Sequence, residues 1–366
     1  MKIDWKKYDC NSTTIHLSFN NITEMNWEFC PPGLTKINLR YNNITKIDWN
    51  GCPPGLTKID LGGNQITEMN WKGCPVGLTK IILNSNKITK IDWNGCPTGL
   101  TNINLGDNQI TEMNWNDCAL GLTYINLCSN QITEMNWNGC PSNLTYIDLC
   151  SNQITEMNWE FCPPELTKID LRFNNITEMN WKGCTPGLTN IDLNCNKITK
   201  MNWIGCPPGL TDIYLMCNNI SEMNWEFCPP GLTKIDLGGN QITEMNWNGC
   251  PPGLADIDLD DNRITKMNWE FCPPELNDID LSSNQITEIN FKDCRNDLIY
   301  KFRPGNYEKE YLEYKKTDAF IPYLPIVCKN KKELHYELNS IWWKCPDGIL
   351  FKEDIKNLID YGFFET

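Results

Sequence analysis

Histidine is nearly missing from this chain, with two residues in 366. That scarcity argues against imidazole-rich metal centres and against Ser-His-Asp chemistry. No apolar run approaches the roughly 18 residues that a membrane-spanning helix needs, so no membrane partner is expected. The opening stretch MKIDWKKYDC has no apolar core of the kind a secretory leader carries, which points to a cytoplasmic location. In that reducing compartment the 20 cysteines are expected as thiols. Asn-Ile-Thr sequons at Asn21, Asn43 and Asn175 are then by-products of the sequence pattern. A surplus of positive charge is also missing. Lys and Arg number 32 against 46 Asp and Glu, a net charge of −14, which disfavours nucleic acid and anionic membrane surfaces as partners. From Leu298 onward 11 basic residues balance 11 acidic ones, so the whole negative surplus lies before that point. No phosphate-cradling glycine loop, paired catalytic carboxylates or Cys-x-x-Cys pair is visible, and nothing calls for a cofactor.

What the chain has is a period. Leu34 returns at Leu56, Leu78 and every 22 residues to Leu298, without insertion or deletion. Asn20 returns in the same way to Asn284, and Trp27 to Trp269. Thirteen units fill residues 12–297; the first has Ser12 in the leucine place and the last has Phe291 in the tryptophan place. A period in this range marks a solenoid, in which each unit buries its apolar face only against its neighbours.

Within one unit, Leu232, Ile235, Leu237, Asn240 and Ile242 are spaced as in leucine-rich repeats, which the chain resembles over those units. The 22-residue length is similar to that of repeats in protein phosphatase regulatory subunits, but Trp and Cys stand here where those have Leu. The run CPPGLTKIDLGGNQI resembles the FNIP-type repeats of amoebae and of giant viruses. Near-identical units with an Asn/Lys/Ile bias most resemble a giant-virus (mimivirus-type) leucine-rich repeat protein.

The expected architecture is an α/β repeat solenoid, a right-handed leucine-rich-repeat superhelix. It has a parallel concave β-sheet, an extended or 3-10 convex side and a small helical C-terminal cap. Ile235 and Leu237 alternate with Lys234, Asp236 and Gly238, the pattern of a short half-buried strand. Asn240 is expected to pair backbone groups at the turn as one rung of an asparagine ladder. Met245 and Trp247 share an inward face while Asn246 points out, and the indoles should stack along the array. The segment TEMNW can form a second ladder. Cys250 fills the corner before Pro251, Pro252 and Gly253 as a small buried hydrophobe. Soft-metal binding or disulfides along that thiol column are the alternatives.

Positions that change from unit to unit lie on the outward strand face. The middle outward column runs His16, Asn38, Asp60, Ile82, Asn104, Asn126, Asp148, Asp170, Asp192, Tyr214, Asp236, Asp258, Asp280. Tyr124 and Tyr146 fall in adjacent units beside Cys128 and Cys150, a plausible aromatic anchor for a protein partner. Asp256, Asp258, Asp260, Asp261, Asp278 and Asp280 crowd two neighbouring units. They suit a basic peptide, a hard cation such as Ca²⁺, or a soluble acidic end. Cys128/Cys150 and Cys195/Cys217 each sit one unit apart, a separation that allows a disulfide and that a cytosol keeps reduced.

Residues 1–11 read as an N-terminal cap whose Trp5 starts the tryptophan column, and 298–366 as a C-terminal capping region with helices near 307–316, 333–343 and 352–361. The expected function is a non-enzymatic protein-interaction scaffold that uses its concave strand face, with Tyr124, Tyr146, Asp148, Asp170, Tyr214, Asp256, Asp258, Asp278 and Asp280 as candidate contacts to an unknown protein, a basic one being suited to the acids. Alternatives are a structural or packing protein, for example of a virus particle, and an enzyme in the tail with Cys328 or Cys345 as nucleophile near His335.

Overall fold

The computed structural model describes residues 2–290, the last two as backbone alone, and the backbone of 299–301. Thirteen three-residue strands begin with Thr14–His16 and Lys36–Asn38 and recur every 22 residues to Asp278–Asp280. All pair in parallel and in register, so Ile15 faces Ile37 and Ile37 faces Ile59. A fourteenth strand, Ile299–Lys301, joins Asp278–Asp280 with an offset of 21 residues. The capping region beyond it, where three helices are expected, lies outside the described residues with Cys328, His335 and Cys345.

One coil shows why these residues recur. Leu56, Ile59, Leu61 and Ile66 are fully buried and Trp49 is 1% exposed. In the strand Lys58–Asp60 the central isoleucine points into the core, while Lys58 and Asp60 lie on the opposite face, where Asp60 is largely covered. The chain then turns at Gly63, whose φ is +66°. The same slot is left-handed in every coil, from Phe19 at 60° to Ser283 at 54°.

The asparagine after that turn works on two coils at once. Asn64 Nδ2 donates to Leu61 O at 2.9 Å in its own coil and to Leu39 O at 3.0 Å in the coil before. Its Oδ1 accepts from Ile44 N at 3.0 Å. Both ends of a buried amide are thereby satisfied, as an apolar interior requires. The expected asparagine ladder is present.

Tryptophan bridges in the opposite direction. Eleven indoles donate from Nε1 to the carbonyl 21 residues later at 2.7–2.9 Å, as from Trp49 to Asn70. Six neighbouring indole pairs stack with centroids 6.0–6.4 Å apart and planes within 21°. A leucine would fill the volume but could not make the bond. Trp5, in the 3-10 helix Trp5–Lys7, stacks on Trp27 and bonds Asn26 O, so the N-terminal segment supplies the first rung.

The tryptophan side is extended with tight turns. Its asparagines point outward, and Asn246 Oδ1 accepts from Asn248 N at 2.9 Å. The second ladder forms only towards the end of the described array. There Lys266–Asn268 pairs with Glu288–Asn290, and Glu244 bridges Lys266. Among the described residues the 3-10 alternative is realised only at Trp5–Lys7.

The cysteine column packs against the core at the corner. Burial pushes the Cys30, Cys74, Cys96, Cys162 and Cys206 thiols up to about 12, so they stay protonated at neutral pH. One expectation fails elsewhere: Cys128 and Cys150 are joined as a disulfide with Cα atoms 4.5 Å apart, because parallel register puts the two side chains side by side. Cys195 and Cys217 are thiols.

Replacing Trp137 by Phe should remove one inter-coil bond and strand the Asn158 carbonyl. A loss of roughly 1–3 kcal/mol in denaturant unfolding is expected. An unchanged midpoint would show that the indole N–H contributes nothing.

Candidate functional site

On the strand face, side chains at one register position stand in rows across the sheet. Tyr124 pairs with Tyr146 and Tyr146 with Lys168. The two tyrosine rings meet edge to face at 5.2 Å and 68°, an arrangement suited to the ring quadrupoles. Lys168 Nζ lies 5.4 Å from the Tyr146 centroid, within cation–π range. Burial, with Asp148, Asp170 and Tyr124 close by, pushes the Tyr146 hydroxyl up to about 12, so it remains a neutral hydrogen-bonding group at physiological pH.

Next to the tyrosines run the acids. Asp148 and Asp170 are buried, and Arg172 grips Asp170 through Nε at 3.0 Å and Nη2 at 2.7 Å. The same guanidinium reaches Asp192 at 3.4 Å. Lys168 and Arg172, absent from the expected contacts, place two cations among the acids here. Tyr214 lies on the strand Asp212–Tyr214, which pairs with Asn190–Asp192 and Lys234–Asp236. It therefore stands between the tyrosine patch and a second acidic group and touches neither tyrosine's register position. In the second group Asp256 takes Lys234 at 2.7 Å, and Asp258 pairs in register with Asp236 and Asp280. Asp278 occupies the first position of its strand, beside Asp256.

The acidic column has a local duty that the spacing did not reveal. In ten coils its Asn or Asp Oδ1 accepts from the backbone N–H two residues on, at 2.9–3.1 Å. This Asx turn carries the chain from strand into turn and accounts for the preference for Asn and Asp in that slot. Each such carboxylate keeps Oδ2 free of this duty. No three of the C-terminal aspartates bring donor atoms within 4.8 Å of one another among the described residues, so the Ca²⁺ alternative finds no compact donor set. Burial first, and neighbouring aspartates second, hold Asp236 and Asp258 above the ordinary carboxylate range, against the N–H bonds that each accepts.

Exposed aromatics were also missed. Phe29, Phe161, Phe227 and Phe271 are 64–72% exposed, with φ of 63–67°. Seven other coils place Gly in that slot at 79–87°. A slot that alternates between Gly and Phe is a legible sign of left-handed backbone with the side chain turned to water. At the N-terminal end Phe19 stacks on Tyr41 at 4.6 Å, under Arg40.

With this geometry in place, comparison with known proteins is consistent. The leucine-rich repeat model matches residues 11–71 and 164–220. No curated protein matches the chain. Among solved structures, the functional domain of InlJ from Listeria monocytogenes, described as including a cysteine ladder, is 25% identical with a TM-score of 0.59. It covers 79% of this chain, which spans only 62% of that one. A chain of the LRIM1/APL1C complex has TM-score 0.65 at 19% identity, covering 98% of this chain and 70% of its own. A chain of the Drosophila Toll–Spatzle complex gives 0.65 at 19%, covering 81% and 41%. The described part has the leucine-rich-repeat fold, a solenoid of parallel strands with almost no helix.

Asp192 supplies a pH test. Burial raises its carboxyl from 3.8 to about 6, with Asp170 adding to the rise and the Asn194 N–H bond and Arg172 opposing it. Between those values the folded chain holds a proton that the unfolded chain releases, so stability falls as pH rises through the window. The thermal midpoint should be higher near about pH 5 than near about pH 7.5, and Asp192→Asn should shrink the difference. A wild-type midpoint that climbs over that interval would contradict this.

Proposed function

We propose that the chain is a non-enzymatic scaffold that binds a protein or peptide through its strand face, with Tyr124 and Tyr146 as anchors. The supporting observation is their edge-to-face pair, flanked by Lys168, Asp170 and Arg172 on a backbone that does not change between coils. Rigid aromatic anchors set among charged groups are the usual high-energy elements of protein interfaces. The partner engages the tyrosines with apolar or cationic groups. The Lys234–Asp256 pair and Asp258, Asp278 and Asp280 form a second patch suited to a basic segment. That similar folds occur in the LRIM1/APL1C and Toll–Spatzle complexes supports a protein partner.

The repeat chemistry also supports kinship with FNIP-like repeat proteins of giant viruses and a place in the host cytoplasm. The near-identity of the units favours a second reading, a packing component of a virus particle without a specific partner. High abundance in purified particles, with no host protein captured, would favour the packing role over the scaffold.

Changing both Tyr124 and Tyr146 to Ala should lower recovery of a captured partner by tenfold or more, about the effect of one interface hot spot. Undiminished recovery by a folded variant would remove the anchor assignment.

A further inference from the structure

Two departures from the repeat coincide. The coils that carry Tyr124 and Tyr146 are also those with cysteine directly after the strand's last leucine, at Cys128 and Cys150. Arg40, Gly62, Gly106 and Arg172 fill that slot elsewhere. Between the cysteines stands Asp148, and the two sulfurs and one of its carboxylate oxygens lie within 4.8 Å of one another. This is the only such donor group among the described residues. The carboxylate is already held in place: Oδ1 accepts from Cys150 N at 3.1 Å and Oδ2 from Asn126 Nδ2 at 2.7 Å. Asp148 and Cys150 are buried while Cys128 is half-buried, so the group opens to solvent on one side only.

We propose that Cys128, Cys150 and Asp148 form a site for one soft divalent cation of the zinc class, open when the two cysteines are dithiol and closed when they are disulfide. Opening is thiol–disulfide exchange. A dithiol reductant passes two electrons to the S–S bond, which breaks to two thiols, and the reductant leaves as its own disulfide. The cation then displaces the two thiol protons and forms two metal–sulfur bonds, with Asp148 as oxygen donor and a solvent molecule on the open side. Two thiolates select soft cations over Mg²⁺ or Ca²⁺. Tetrahedral zinc with bonds of about 2.3 Å places its sulfurs roughly 3.8 Å apart, which facing cysteines of adjacent strands reach by rotating out of the bond. Three negative donors around a doubly charged cation leave a single charge, beside the cationic Arg172 and Lys168.

The molecule contains its own control. Cys195 and Cys217 are likewise one coil apart, but one slot later, and no carboxylate completes a donor set with them. The cysteine column, packed against the core at the corner, forms no three-donor group among the described residues.

The full chain should be reduced with a phosphine, freed of reductant under inert gas and titrated with Cd²⁺, following the thiolate-to-cadmium charge-transfer band. Cys10, Cys195, Cys217, Cys294, Cys328 and Cys345 are changed to Ser in all samples, leaving the pair and the corner column. One Cd²⁺ per chain is expected in the reduced form and none in the oxidised form of the same protein, which controls for folding. Cys128→Ser with Cys150→Ser should abolish the band. Asp148→Asn, which keeps the oxygen that caps the turn, should weaken binding by tenfold or more. Equal binding by the oxidised chain, or a band that survives loss of both cysteines, overturns the site. Unchanged affinity in Asp148→Asn overturns the three-donor assignment.

Discussion

Each coil completes the hydrogen bonding of the coil beside it. The amide of Asn64 reaches back one coil to Leu39 and Ile44, and the indole of Trp49 reaches forward to Asn70. Burying either group without its neighbour is costly, since an unpaired polar group in an apolar interior costs about 1–3 kcal/mol; between Trp5 and Trp247 only the Trp159 indole is buried without that bond. Burial of Leu, Ile and Trp provides most of the driving force, but apolar contact is tolerant of register. The polar rungs are not, because a donor displaced by one residue meets the wrong carbonyl. Identical coil length is therefore a condition of stability, and it explains why 13 units contain no insertion.

The same constraint shapes the exterior. With the backbone held from coil to coil, each outward slot becomes a row whose members differ only in side chain. Stacked like charges would repel across strand spacing. The sheet answers by giving Asp148 to Asn126 and Cys150, Asp170 to Arg172, and Asp256 to Lys234. The Asx turns use one carboxylate oxygen for architecture and leave the other for pairing. A row in this array is thus partly structural and partly free for recognition, and the tyrosine row, which caps nothing, is the part most free to serve a partner.

Much of this was legible in the residues. The period, the three-residue strand around each isoleucine, the asparagine ladder and the inward indole all follow from spacing and alternation. What stayed hidden depends on angles and reach rather than on pattern. The bond from Trp49 to the next coil needs the indole's orientation, and the Asx turn at Asp148 needs the direction of one oxygen. The exposed phenylalanines were readable in principle, since Phe29 and Gly51 share a slot, but an apolar residue invites an inward reading. For the candidate face, Tyr124, Tyr146 and the acidic column were visible. Lys168 was visible too, since the next coil places it at the tyrosine register position, but the grip of Arg172 on Asp170 was not, because it depends on where one long side chain reaches.

The central claim is that whole coils are interchangeable units and fractions of coils are not. Its most direct test is a pair of deletions, one removing a full unit, residues 78–99, and one removing its first half, residues 78–88. Unfolding is then followed by circular dichroism and tryptophan emission. The account predicts that joining Gly77 to Leu100 preserves a cooperative transition and buried-indole emission, because Lys58–Asp60 then pairs with Asn102–Asn104. It predicts that the half-unit deletion broadens unfolding and shifts emission towards that of exposed indole. Equal tolerance of both deletions would contradict it.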